Sequence, residues 1–173
     1  MRREQLEHII RAACGITGAP VVVIVGSQAV LGQFPDAPEE LLVSIEADVF
    51  TLRDPADADL IDGSIGERST FHETFGYYAH GVGRETAVLP HGWEGRLIRV
   101  ENANTGGGAG LCLEVHDLAV SKLIAGREKD LEFICVLLRR RLAEKGVLAE
   151  RLARTELPAD LRTLCEGRLK ALG

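Results

Sequence analysis

The run Val21-Val22-Val23-Ile24-Val25, stopped by Gly26-Ser27, constrains this chain more than any other feature. Five consecutive β-branched residues lose side-chain freedom in a helix and pack well on a pleated surface. A continuous apolar run, with no alternating polar positions, fits a strand buried on both faces. The chain must therefore build a sheet around residues 21–25 and lay helices over it. Upstream, Leu6, Ile9, Ile10 and Ala13 recur at helical spacing over residues 4–13, and Gly15 reads as the helix stop. Downstream, residues 28–31 read as the start of a second helix.

The next segment has a different period. In Val43-Ser44-Ile45-Glu46-Ala47-Asp48-Val49-Phe50, polar and apolar residues alternate. A strand here puts Ser44, Glu46 and Asp48 on one side and Val43, Ile45, Ala47 and Val49 on the other. Residues 57–63 suggest a short helix. Residues 86–89, 96–100 and 111–115 read as further strands, with turns at Pro90-His91-Gly92 and Gly106-Gly107-Gly108. From Asp117, a candidate N-cap, the chain turns helical, and Leu131, Ile134, Leu138 and Leu142 repeat at helix spacing. Gly146 and Pro158 bound the last segments. The expected architecture is α/β (α+β): a small mixed sheet flanked by helices over residues 1–116, with a C-terminal helical segment over 117–173 packed on it. At 173 residues this makes one compact domain.

Composition narrows the function. The hydrophobic share of 46% and the charged share of 27% suit a soluble globular chain. No apolar run reaches the ~20 residues of a bilayer span, and residues 1–8 lead into no signal-like segment, so a cytoplasmic location and no membrane partner are expected. The net charge of −6 supplies no bulk attraction to nucleic acid. Any such substrate would need a local patch, for which Arg139-Arg140-Arg141 and Arg151, Arg154, Arg162 and Arg168 are the candidates. Cys14, Cys112, Cys135 and Cys165 show no CxxC spacing and read as reduced core thiols.

Two constellations can carry chemistry. Glycine at a strand-to-helix turn lets a phosphate approach the backbone, and free N–H groups at a helix start attract anions; this describes Gly26-Ser27. Carboxylates at i and i+2 on a strand share a face, so Glu46 and Asp48 can hold Mg²⁺, a hard cation that keeps phosphate and water oxygens. Spacing alone leaves a second reading open, in which Gly26-Ser27 is a plain turn and Ser44, Glu46 and Asp48 form the wet face of an edge strand. The other constellation is residues 121–130, where Lys122 sits among apolar neighbours and Arg127, Lys129 and Asp130 follow within about two turns. On spacing alone a solvated charge cluster is the favoured reading, ahead of a phosphate-contacting lysine.

The order Val25-Gly26-Ser27-Gln28-Ala29, Ser44-Ile45-Glu46-Ala47-Asp48-Val49, then residues 117–123 with Arg127-Glu128-Lys129-Asp130 resembles the minimal nucleotidyltransferases of the DNA polymerase beta superfamily. More narrowly, these segments, with residues 71–78 and 89–93, are similar to a bacterial group related to AbiEii-type toxins of toxin–antitoxin operons. The resemblance spans roughly residues 20 to 140. It implies that Gly26 and Ser27 bind nucleotide phosphates together with Lys122 and Arg127. It implies that Glu46 and Asp48 hold metal, and that Lys122 and Asp130 serve catalysis. A third carboxylate is expected on a neighbouring strand, and Glu101 is the candidate. The first carboxylate is Glu where the superfamily usually has Asp, and the loop between Ser27 and the pair is longer than usual.

The implied activity is Mg²⁺- or Mn²⁺-dependent transfer of a nucleoside monophosphate from a nucleoside triphosphate to a hydroxyl. The acceptor would be the 3′ end of tRNA, and the protein a toxin with a cognate antitoxin. The alternatives are an antitoxin that nucleotidylates a partner toxin protein, or a nucleotide-binding protein with weak catalysis. Gly106-Gly107-Gly108-Ala109-Gly110 precedes a strand and so fails the dinucleotide-binding context, and His72-Glu73 lacks the second histidine of a zincin. His72 and His80 read as structural or surface residues, Tyr77 and Tyr78 as core, and Trp93 as a partly buried anchor.

Overall fold

The computed structural model describes residues 1–172. The β-branched run forms β1 (Val21–Val25), the middle strand of a five-stranded sheet. On one side lie β2 (Glu46–Phe50), antiparallel to β1, and then β3 (Tyr78–Gly81), parallel to β2. On the other side lie β5 (Ala109–Cys112), parallel to β1, and the edge strand β4 (Ile98–Val100), antiparallel to β5. The helices are α1 (Arg3–Thr17), α2 (Val30–Gln33), α3 (Asp57–Ile65), α4 (Thr70–Phe75), α5 (Val115–Ala125), α6 (Glu128–Arg139), α7 (Lys145–Ala153) and α8 (Ala159–Ala171). The architecture is the mixed α/β one that the sequence periods predict.

Register sorts the strand side chains onto two faces. Ile24 pairs with Val49 and with Cys112, and Val22 with Gly110, so these residues and Ala47 share one face. α1 covers it so closely that a methyl group at position 110 would come within 2.5 Å of Ile10 Cδ1. α2 packs there too, with Gly32 against the Cys112 side chain. The opposite face carries Val23 and Val25 on β1, Glu46 and Asp48 on β2, and Tyr78 and His80 on β3. β2 lies between β1 and β3, so its polar face does not belong to an edge strand.

Several expected boundaries move, each for a local reason. α1 runs through Gly15 to Thr17 and stops at Gly18, whose φ of 65° is the left-handed cap; Gly15 has helical neighbours and packs against nothing. β2 starts only at Glu46, because Val43 and Ile45 face solvent at 81% and 47% exposure and Met1 takes the carbonyls of Leu42 and Ser44. Residues 86–89 form no strand: Arg84–Thr86 is a 3-10 turn. Residues 78–81, unassigned by periodicity, do form one. β4 is shorter than expected, since Trp93–Arg96 is a 3-10 turn. β5 ends at Cys112, and Val115 already opens α5.

The N-cap of α5 is Glu114, whose side chain accepts from the His116 N–H; Asp117 lies inside the first turn. Buried Asp117 instead receives Nε and Nη2 of Arg96 at 2.8 and 2.9 Å, with Arg151 Nε at 3.9 Å. Arg96 also donates to the Gly92 carbonyl at 2.8 Å, so it ties the 91–96 loop to α5. α5 is the hub of the C-terminal helices: Val115, Leu118, Ala119, Val120 and Leu123 are buried against α6, α7 and α8. Gly126, with φ 63°, reverses the chain between α5 and α6, and Arg168 satisfies the freed carbonyls of Leu123 and Ile124. The helix expected to include Leu142 ends at Arg139, and Gly146 lies inside α7.

The basic residues of the tail are largely spent on this scaffold. Arg162 bonds the carbonyls of Leu152 and Thr155, while Arg139 and Arg140 reach Glu40. Cys14, Cys112 and Cys165 are buried free thiols, whereas Cys135 is exposed rather than a core thiol. No helix among the described residues is long and apolar enough to cross a membrane. Removing one partner of a buried ion pair strands the other, at a cost of about 3–5 kcal/mol. Asp117→Ala, which leaves Arg96 unpaired, is expected to lower the urea-unfolding free energy by about that amount.

Candidate functional site

β2 and β3 run in parallel with Glu46 opposite Tyr78 and Asp48 opposite His80. All four side chains therefore rise from the same face in two adjacent rows. Tyr78 donates its hydroxyl to Glu46 Oε2 at 2.6 Å, and the hydrogen bond to that carboxylate, with burial, pushes the phenol well above its ordinary range. It stays a donor at any physiological pH and fixes the Glu46 carboxylate. His80 Nδ1 stands 3.3 Å from Asp48 Oδ1. Burial raises the Asp48 carboxyl above its usual range and Glu46 adds to this; the hydrogen bond from His80 opposes it. One ligand atom from each of Glu46, Asp48 and His80 lies within 4.8 Å of the other two. Two carboxylates and an imidazole make a donor set that fits a divalent cation.

β1 delivers the glycine turn to the same place, because Val25 pairs with Asp48. Gly26 adopts φ 67° and ψ −172°, a conformation open essentially to glycine alone. A Cβ there would lie 2.0 Å from Asp48 Oδ2. The carboxylate thus occupies the space that a side chain at position 26 would fill. Half-buried Ser27 begins a 3-10 turn, Ser27–Ala29, followed by the four residues of α2. So short a helix aligns few peptide dipoles, and the expected pull of a helix start on an anion is correspondingly small. What remains for a phosphate is the backbone and hydroxyl of the turn.

The Lys122–Asp130 segment forms a charge cluster on α5 and α6. Asp130 is fully buried, with Lys122 Nζ 3.1 Å and Arg127 Nε 2.6 Å from its two oxygens. Burial alone would raise its carboxyl, but the hydrogen bonds from Arg127 and Lys122 hold it below the usual value. Lys122 is itself buried, with its ammonium 4.6 Å from the centre of the Phe133 ring; desolvation lowers its affinity for the proton and Asp130 restores part of it. Arg127 is different: its side chain is 63% exposed. Its protonated form is stabilised first by the bond to Asp130 and further by the charges of Asp130, Asp48 and Glu46. α5 also packs on the Ser27–Ala29 turn, so the two constellations share one region.

Of the residues singled out in the sequence, Gly26, Glu46 and Asp48 come together, with Ser27 beside them. Lys122 and Asp130 are buried, and the Asp130 carboxylate is engaged by both Lys122 and Arg127. Glu101 is not brought to the pair: it follows β4 at the far edge of the sheet and binds Arg99 at 2.7 Å. His80 stands on the neighbouring strand where a third carboxylate was expected. Tyr78 and His80 were read as core and surface residues; only the β3 register, which no period in Tyr77-Tyr78-Ala79-His80 signals, puts them here. Tyr77 is the core residue of the pair, and its hydroxyl lies 2.8 Å from His8 Nδ1. His72 packs against Tyr78 with the rings tilted by 45° and their centres 4.7 Å apart. Two clefts lie elsewhere, one of ≈ 350 Å³ between the ends of β2 and β3 that includes Thr51 and Arg84, and one of ≈ 680 Å³ between residues 88–94 and Arg154. Buried Trp93 lines the second.

Gly26→Ala combines a backbone conformation essentially closed to other residues, worth about 1–3 kcal/mol, with a collision at Asp48. It is expected to leave the chain folded by circular dichroism but to displace the Asp48 carboxylate and weaken divalent-cation binding by calorimetry. Asp130 gives a pH signature. Its folded-state pKa lies below the ordinary 3.8, so its stabilisation is complete above that value and is lost as pH falls through the folded one. Asp130→Asn, which leaves Lys122 buried and unpaired, is expected to cost about 3–5 kcal/mol near pH 7. The gap to the wild type in urea denaturation should close below about pH 4.

Residues 4–152 match a family described as a nucleotidyltransferase of unknown function (DUF6036), and the chain belongs to that family. No curated protein and no solved structure matches it.

Proposed function

We propose that this nucleotidyltransferase moves a nucleoside monophosphate from a nucleoside triphosphate to a hydroxyl, with Mg²⁺ or Mn²⁺ held by Glu46 and Asp48. The observation that supports this reading is the approach of the Asp48 carboxylate to the Gly26 backbone, so that a cation held by Asp48 would lie beside the glycine turn. A divalent cation bound there would offset the negative charge on the triphosphate and on the departing pyrophosphate. The chain's own residues do the rest. Tyr78 holds Glu46 in one orientation through a 2.6 Å hydrogen bond. Gly26 and Ser27 leave the backbone open to phosphate oxygens. Arg127 is the exposed cation on this side, and its planar fork suits phosphate oxygens. Lys122 adds a fixed positive charge from behind, and Asp130 locks both cations in place.

The acceptor proposed is the 3′ hydroxyl of tRNA, in the setting of a toxin with a cognate antitoxin. Support comes from the likeness of residues 20–140 to AbiEii-type enzymes. An acceptor met at its end also suits a chain of net charge −6 whose tail arginines are mostly paired internally. A second reading, a nucleotide-binding protein with little turnover, draws on one observation: His80 stands where a carboxylate was expected.

The test is label transfer from each of four α-labelled nucleoside triphosphates to total tRNA, with Mg²⁺ or Mn²⁺. A parallel arm uses tRNA whose 3′ diol has been destroyed by periodate. Transfer to intact tRNA alone is expected, with loss in Asp48→Asn. Arg127→Ala, which removes a charge-assisted contact worth about 1.5–3 kcal/mol, should raise the KM for nucleotide by roughly ten- to a hundred-fold. Transfer undiminished in Asp48→Asn would overturn the mechanism. Metal-dependent nucleotide binding by calorimetry with no transfer to tRNA or protein would favour the second reading.

A further inference from the structure

We propose that His80 is the third protein ligand of the cation held by Glu46 and Asp48, and that its nitrogen biases this site toward Mn²⁺ over Mg²⁺. The inference rests on the reading of Glu46 and Asp48 as metal carboxylates. Three features on the sheet support it. The first is register: Asp48 and His80 are direct partners across β2 and β3, so their side chains rise side by side from one face. The second is spacing. Neighbouring ligands on an octahedral cation at about 2.1 Å stand about 3 Å apart, and His80 Nδ1 lies 3.3 Å from Asp48 Oδ1. The third is that Glu46, Asp48 and His80 form the sole such ligand cluster among the described residues, with no third carboxylate in it.

Ligand chemistry then gives the preference. Mg²⁺ demands oxygen donors and gives up water reluctantly, whereas imidazole suits first-row transition ions. Mn²⁺ is the ion of that row that keeps a liking for carboxylate oxygen, and a donor set of two carboxylates and one imidazole meets both requirements. The His80 side chain is 50% exposed and that of Asp48 24%. The imidazole is therefore a half-open ligand at the rim of the site, and substitutions there do not disturb the core.

The experiment titrates the metal-free protein with Mn²⁺ alone, following the free-ion electron paramagnetic resonance signal. It then examines bound Mn²⁺ by electron spin echo for nitrogen modulation, and displaces it with Mg²⁺. Wild type, His80→Gln, His80→Asp and Asp48→Asn are compared, with thermal melts to show that each is folded. Wild type is expected to bind Mn²⁺ with imidazole nitrogen modulation. His80→Gln should lose the modulation and weaken Mn²⁺ binding by roughly ten-fold or more. His80→Asp should lose the modulation, still bind Mn²⁺, and be displaced by much less Mg²⁺. Bound Mn²⁺ without nitrogen modulation in the wild type, or an unchanged affinity in His80→Gln, overturns the role of His80. If binding is then still lost in Asp48→Asn, the carboxylate reading survives. Mn²⁺ binding that persists in Asp48→Asn, or no binding by the wild type, overturns that reading as well.

Discussion

The contact between the Asp48 carboxylate and the Gly26 backbone is the constraint around which the site is arranged. It exists because β1 and β2 run antiparallel with Val25 opposite Asp48, so the end of one strand meets the start of the other. Any side chain at position 26 would stand in the space of Asp48 Oδ2, and the turn that follows would have to move. A central β1, buried by helices on its register face, holds this geometry rigidly. The loop before β2, by contrast, exposes Val43 and Ile45 and has no sheet partner beyond Glu46. The site is thus placed where the rigid sheet ends.

Charge is distributed across this region with a division of labour that burial explains. Burial raises the proton affinity of Asp48, and the charge of the neighbouring Glu46 adds to the effect. A cation is the natural counterweight. The chain supplies two candidates at different depths, Lys122 buried and Arg127 exposed. Lys122 is already satisfied by Asp130 and the Phe133 face, so its charge acts as a fixed background. Arg127 shares Asp130 with Lys122 and still presents its guanidinium to solvent.

Much of the fold could be read from the chain. The β-branched run, the helical spacing of Leu6, Ile9, Ile10 and Ala13, and the helical C-terminal third all became the elements their periods imply. Boundaries were less legible where a tertiary partner overrode a local signal. Gly15 did not stop α1 because the helix continues to a better left-handed cap at Gly18. Asp117 has the chemistry of an N-cap, yet its carboxylate went to Arg96, a partner 21 residues away. Residues 86–89 have strand composition, yet the 3-10 turn Arg84–Thr86 takes the chain away and they pair with no strand of the sheet.

The candidate site divides along the same line. Sequence alone singled out Gly26-Ser27, the shared face of Glu46 and Asp48, and the segment with Lys122, Arg127 and Asp130. The carboxylate face follows from strand period, whereas Lys122 and Asp130 meet because Gly126 reverses the chain between α5 and α6. Only the tertiary structure decided which groups meet across elements. It brought His80 and Tyr78 to the carboxylates, left Glu101 at the opposite edge of the sheet, and exposed Arg127 while burying Lys122. The physical reason is that strand order and register are set by long-range pairing and packing. A side chain's neighbours across a sheet leave no trace in the period of its own segment.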